Sequence, residues 1–563
     1  MNQTIKSTIT FITAVTSVIN AYSIVINIPV SDPRLDMTTL LNNAIEKAAV
    51  YDGDTDIIIR LSPGVYNISR TASIPVHQHI SNTTSEQENP QSIKHYGLYL
   101  KNLSRITIDG AGATLMTHGE MTAIAIDSCS NITIRDLTID SADPSVPEMK
   151  VISRNDSIVT CCMSARTSCR ISEDGKLYWI GDGWEFTGGI AQIYDGIHTR
   201  RCVSPMNKYR YAEQDNDILT FHYAAGEAPE CQPGNVYQMR HSLRTEVATF
   251  INRSSDVMLS DISYHFLVNF GIVGQFCHNI TLDNVVCAPD KNDERTCAGF
   301  ADFVQLSGCS GKISVRNCHF SGSHDDPINI HGTHLKVVDY DHNSLTVRFM
   351  HNQTYGFMPF AAGDEIAAVD ACSLRHFATA VVTDTEQLSD YDIKIRLDRD
   401  IRKLIAQHKN TVIENVTANP EVEITGCQFS LTPTRGLLLT TSRKAHIANN
   451  TFRNIPMSAI LIADDGQSWY ESGSVRDVTI SNNRFIDCAS PIISISPENS
   501  IFDGPVHSGI KIYDNEFIYS KNTDVPILVQ AKSVEELSIR NNRTANCPEY
   551  QITLTGCTSV DIE

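Results

Sequence analysis

Three carboxylates stand out in this 563-residue chain for the chemistry their spacing allows. Asp302 lies in CAGFADF, and Asp325 and Asp326 stand side by side in SGSHDDP, 23 residues after Asp302. Gathering like charges raises the pKa of each and destabilises the fold, an arrangement tolerated mainly where protons must be moved. Glycoside hydrolysis has that requirement: one carboxylic acid protonates the leaving oxygen, and an ionised carboxylate activates water or attacks the sugar. An Asp-Asp pair alone is ordinary turn chemistry; Asp302, one structural repeat away, is what argues for a site. Neighbouring strands are roughly 4.8 Å apart, less than the roughly 6.5–9.5 Å expected for inversion. A diagonal pair reaches the longer value, so spacing alone leaves the stereochemical course open.

Other residue types near the trio suit sugar binding. His324 and His331 flank the pair as hydrogen-bond donors, with no metal expected, and Asn329 in INIHG is a candidate ligand or a stacked turn residue. Trp469, one of three tryptophans, sits beside Tyr470 and Glu471 in a polar loop, where it either stacks on a sugar face or staples the loop. Arg244 and His265 precede Asp302 on segments that can point to the same face. Asp464 and Asp465 read as a turn rather than a second dyad.

The element that must position these side chains is a repeat. An octad with alternating apolar residues, a polar pair often containing Asn or Asp, and a closing apolar residue begins at Ile132, Val257, Ile280, Ile313, Val422, Ala445, Val478, Ile510 and Leu537. Spacings of 23 to 33 residues between neighbours match one coil of a solenoid. The fold expected is all-β: a right-handed parallel β-helix. Two gaps of about 100 residues, after Ile139 and after Phe320, carry alternating runs such as KLYWIGDGWEF and KVVDYDHNSLTVRF. They predict two inserted small antiparallel β-barrel-like lobes, tolerated because loop-closure entropy grows slowly with length. The expected organisation is a leader over 1–23, a cap and first coils over 24–140, one lobe over 141–250, site-bearing coils over 251–332, a second lobe over 333–420 and closing coils over 421–563. Within the cap, the spacing of Leu40, Leu41, Ala44, Ile45 and Ala48 predicts a helix capped by Asp36 or Thr38, and the coils proper are expected from Leu100.

A net charge of −20 argues against nucleic acid and against a strongly anionic polymer, so the expected partner is a neutral glycan. No cofactor is required. The first 23 residues have the shape of a weak secretory signal, implying a secreted or periplasmic protein, and no later segment is apolar enough to span a membrane. Sixteen cysteines without a CxxC pair suggest core packing, with Cys287 and Cys297 the plausible local disulfide. Oligomeric state is left open.

The run ADF…GCSGKISV…FSGSHDDPINIHGTHL, followed downstream by WYESGSVRDVTI, resembles glycoside hydrolase family 110, the exo-acting inverting α-1,3-galactosidases that act on blood group B and linear α-1,3-galactosyl glycans. The resemblance implies that Asp325 is the general acid and that Asp302 and Asp326 position and activate the water. Two alternatives stand beside it: another β-helix glycosidase of polygalacturonase type, although the chain has no cationic motif for a uronate, and a noncatalytic carbohydrate-binding surface β-helix.

Overall fold

The computed structural model describes residues 16–20, 23–29, 34–51, 53, 55–83, 87, 90–201, 205–520 and 525–563. Its spine is a parallel β-helix with two long sheets, one of 22 strands that carries the octads and one of 13 strands that carries the candidate site. All nine octads stack in a single register, from Ile132 through Val257, Ile280, Ile313, Val422, Ala445, Val478 and Ile510 to Leu537. The ladder runs past them at both ends, to Ile106, Ile57 and Ile24 on one side and Val560 on the other. The coils therefore begin well before Leu100, in strands whose sequences lack the polar pair.

The polar pair has a definite physical role. Its first member, the fifth octad residue, turns the corner with φ between +52° and +69° in every repeat: Asp136, Asp261, Asn284, Asn317, Gly426, Asn449, Asn482, Asp514 and Asn541. Asn, Asp and Gly are the residues that enter this left-handed region at least cost. The second member points inward. In the C-terminal coils it forms an asparagine ladder, in which the Nδ2 amides of Asn450, Asn483 and Asn515 each donate to the Oδ1 of the next rung at 3.0 Å, ending on Asn542. Each amide also donates to a backbone carbonyl of the preceding coil, so these buried polar groups are satisfied. The closing octad position stacks Phe320, Phe429, Phe452, Phe485 and Phe517, with ring centroids 4.6 to 5.4 Å apart, the coil spacing expressed in aromatic packing.

Both gaps are excursions from this spine. The first forms an open seven-stranded antiparallel sheet, between Glu148–Arg154 and Val236–Arg240, with a three-stranded sheet sharing its core. The second is a closed six-stranded barrel, from Leu335–Asp341 to Thr411–Asn415, with its own apolar centre. The helix Thr38–Ala49 buries Leu41, Ala44, Ile45 and Ala48 against the first coils. Its N-cap position is Met37, not Asp36 or Thr38; the Asp36 carboxylate accepts the Thr38 N–H at 2.9 Å from just outside the helix.

Cys287 and Cys297 are not bridged, and every described cysteine is a free thiol. Cys287 faces the solenoid interior, whereas Cys297 belongs to a separate apolar cluster with Phe266 and Phe300 and donates to the Gly299 carbonyl. Their side chains lie in different cores, which proximity in sequence does not reveal. The leader falls mostly on residues 1–15, 21 and 22, outside the described residues; its described part, Thr16–Asn20, pairs antiparallel with Ser23–Ile28. Among the described residues no helix is long and apolar enough to cross a membrane.

Candidate active site

The aspartates are placed by the turns that lead into three successive strands of the second sheet. Val304 pairs with Ile328, and Ile328 with Leu437. Two residues ahead of each lie Asp302, Asp326 and Arg435, which are therefore consecutive rungs of one vertical row. Pro327 favours an extended Asp326, and the Asp326 carbonyl accepts the Phe303 N–H at 3.2 Å. Below, Gly271 donates its N–H to the Asp302 carbonyl at 2.9 Å. A Cβ on Gly271 would meet the Phe303 oxygen at 2.2 Å, so only glycine permits this approach. Asp325 sits one residue earlier in its turn and so lies diagonally from Asp302. Its carbonyl is fixed by the hydroxyls of Ser323 and Thr432.

The three carboxylates occupy different environments. Asp302 and Asp326 are buried, at 7% and 3% exposure. Burial, together with Asp325 and Asp326, pushes the Asp302 carboxyl well above the usual range, against the pull of Arg244. Burial pushes Asp326 up to about 6, opposed by Arg435, whose backbone N–H and Nη1 reach the two carboxylate oxygens, each at 3.1 Å. Asp325 is the member open to solvent, its side chain 28% exposed and 3.4 Å from the Arg201 guanidinium. Arg201 also donates to the His324 carbonyl at 2.7 Å, tying the first lobe to the turn.

These shifts set a pH dependence of stability. A carboxyl whose folded pKa exceeds its unfolded value stabilises the fold below the unfolded pKa and loses that contribution as pH rises through the folded value. The wild type should therefore lose stability between about pH 4 and pH 6 and above from the Asp302–Asp326 pair. Asp302→Asn removes the cost: thermal melting should show a gain of roughly 2 °C or more at pH 8, vanishing at pH 4. An equal shift at both pH values would contradict the assignment.

The other candidates divide into two groups. Asn329 donates to Glu471 Oε1 at 3.3 Å, and His331 Nε2 lies 3.6 Å from the same oxygen, while His331 Nδ1 donates to the Gly332 carbonyl. Glu471 reaches them because Glu471–Ser472 pairs antiparallel with Gly332–Thr333. The loop carrying it is organised by Asp465, whose carboxylate accepts backbone N–H groups from Gln467 to Tyr470. Asp465 is thus turn chemistry. Trp469 is 44% exposed and stacks on His351 of the barrel at 4.4 Å. Arg244 donates to Gln353 of the same barrel loop and lies over the Phe270 ring. His324 turns away into the first lobe, its ring nitrogen bonded to Gln238 at 3.0 Å, and burial with Arg240 nearby pushes its pKa well down. His265 faces Asp290 at 3.9 Å, and among the described residues no hydrogen bond or ion pair joins it to the trio.

Sequence reasoning missed Arg435 and Arg201. Arg435 is 109 residues from Asp326, with the whole barrel between them. Aligning LLL at Leu437 with INI at Ile328 would have exposed it. Arg201 comes from a lobe whose placement the repeat does not specify.

A parallel β-helix presents three aspartates at two degrees of burial, with arginines against two of them and two lobes beside them, an arrangement that suits glycoside hydrolysis. Two family models match, GLAA-B β-barrel domain II over residues 344–409 and the right-handed β-helix region over 405–563. The chain is 44% identical to α-1,3-galactosidase A of Bacteroides thetaiotaomicron, covering 89% of this chain and 88% of that protein. It is 38% identical to α-1,3-galactosidase A of Bacteroides fragilis, over 90% and 86%. With the Akkermansia muciniphila enzyme of the same name it shares 32%, over 86% and 81%. The chain belongs to the α-1,3-galactosidase family, glycoside hydrolase family 110.

Proposed function

We propose that the protein is an exo-acting, inverting α-1,3-galactosidase that removes terminal galactose from blood group B or linear α-1,3-galactosyl glycans. The observation that carries the reading is the split of the trio into a stacked, buried pair and one solvent-facing carboxylate. In an exo enzyme the terminal sugar enters first and the leaving group points outward. The general acid then belongs with the solvent-facing carboxylate, Asp325, and the water with the buried pair Asp302 and Asp326. Attack by water on the anomeric carbon breaks its bond to the glycosidic oxygen. Asp325 supplies the proton to that oxygen, and the buried pair takes one from the water.

Asn329, His331 and Glu471 are placed to read galactose hydroxyls, and Trp469, held by His351, to meet the sugar face or the residue beyond. Glycans of this kind are met outside the cytoplasm, so the proposed location is secreted or periplasmic.

Proton NMR tests activity and stereochemistry together. With the branched B trisaccharide and the linear α-1,3-disaccharide, the first galactose formed should be the β-anomer, before mutarotation mixes it. An initial α-anomer, or transfer to added methanol, would mean a covalent intermediate and a different use of the aspartates. No galactose from any α-1,3-galactoside would leave a binding module as the better reading.

A further inference from the structure

The register leaves a division of labour within the buried pair. We infer that Arg435 is a positioning residue that fixes Asp326 as the ionised base, leaving Asp302 to carry the proton that the stacked pair shares. This deepens the proposed glycosidase reading and rests on it.

The geometry is asymmetric. Asp326 has its donors from the next coil, the Arg435 backbone N–H on Oδ1 and the guanidinium on Oδ2, each at 3.1 Å, with the Thr434 hydroxyl beside them. These donors hold a carboxylate and cannot serve a carboxylic acid equally well, since one acid oxygen must itself donate. The Asp302 carboxyl has no hydrogen bond or ion pair among the described residues. The charged groups facing the pair are Asp325 from its own turn, Glu471 from the 465–471 loop, Arg244 from the segment ahead of Val247–Asn252, and Arg435. Among the described residues Arg435 is the one cation in hydrogen-bond contact with the pair, and it contacts Asp326 rather than Asp302. Two stacked buried carboxylates do not both ionise readily, so one proton is retained, and the arginine decides where.

The attacking water gives its proton to the Asp326 carboxylate as its oxygen bonds to the anomeric carbon. Asp302, protonated, is left to orient that water and loses no proton in the step. Even with Arg435 present, burial holds Asp326 up to about 6. Without the guanidinium it would be protonated over a wider range.

The test compares Arg435→Met and Arg435→Lys with wild type in kcat and KM from pH 4.5 to 9. For Arg435→Met the acidic limb of the rate profile should move up by about one pH unit or more, so that the rate near pH 5.5 falls roughly tenfold. KM should change little, and activity should recover at high pH. Arg435→Lys should move the limb less. A uniform loss across the range with an unmoved limb would mean that Arg435 only supports the turn, and would overturn the inference. Titration of 13C-labelled aspartate carboxyls by NMR in the ligand-free protein gives a readout independent of activity. There Arg435→Met should raise the lower of the pair's two steps, and an unmoved step refutes the inference even in a fully active enzyme. If wild type releases no galactose, the glycosidase reading fails, while the carboxyl titration still decides the role of Arg435.

Discussion

Asp325→Asn is expected to lower the rate on an α-1,3-galactosyl glycan by about 10² to 10⁴, while an aryl galactoside with an acidic leaving group loses far less. The reason lies in the leaving oxygen. A sugar alkoxide cannot depart without a proton, whereas a nitrophenolate can, so only the first reaction depends on the acid. Asp325 suits the role by position: its side chain is the solvent-facing member of the trio. The substitution keeps shape and removes only the transferable proton, and circular dichroism should stay β-rich. Kinetics on the two substrates decide the matter. Equal losses on both would remove Asp325 from the acid role, and a leaving-group-dependent loss in Asp302→Asn instead would move that role to Asp302, whose raised pKa also suits a proton donor.

Asp326→Ala is expected to do the opposite. Removing the base should cost about 10² to 10⁴ on glycan and aryl galactoside alike, because both need water activated. Added azide, which attacks without a base, should restore part of the rate on the aryl substrate and yield β-galactosyl azide. Rescue giving the α-azide, or none in a folded variant that still binds galactose, would take Asp326 out of the base role. The variant also strands the Arg435 guanidinium beside a cavity, so a small loss in melting temperature should accompany the kinetic effect.

How far the chain could be read before folding is clearest at the octads. Their polar pair signals two facts at once: a left-handed corner at Asn449, Asn482, Asp514 and Asn541, and an inward asparagine rung at the next position. Both are local demands of a coil, so composition records them. The earlier coils, such as Asp56–Leu61, meet the same register with less marked residues. The aspartate trio was legible for the same reason as the octads. Asp302 and Asp326 are one coil apart, and no insertion separates them.

The sequence by itself determined the β-helix, its register and the proximity of Asp302 to the Asp325–Asp326 pair, because a solenoid turns a repeat length directly into a vertical distance. Tertiary structure alone decided the rest of the site. Arg435 reaches Asp326 only after an entire barrel has been looped out, and Arg201 reaches Asp325 only because the first lobe folds back on the turn. His324, adjacent to Asp325 in sequence, is turned into the lobe and bonded to Gln238. Cys287 and Cys297, ten residues apart, fall into different cores. For Arg435, Arg201 and His324 the deciding contact is between a coil and an insertion, or across one. The spacing of residues along the chain carries no record of how an inserted domain docks, since that depends on packing between surfaces that only the folded protein brings together.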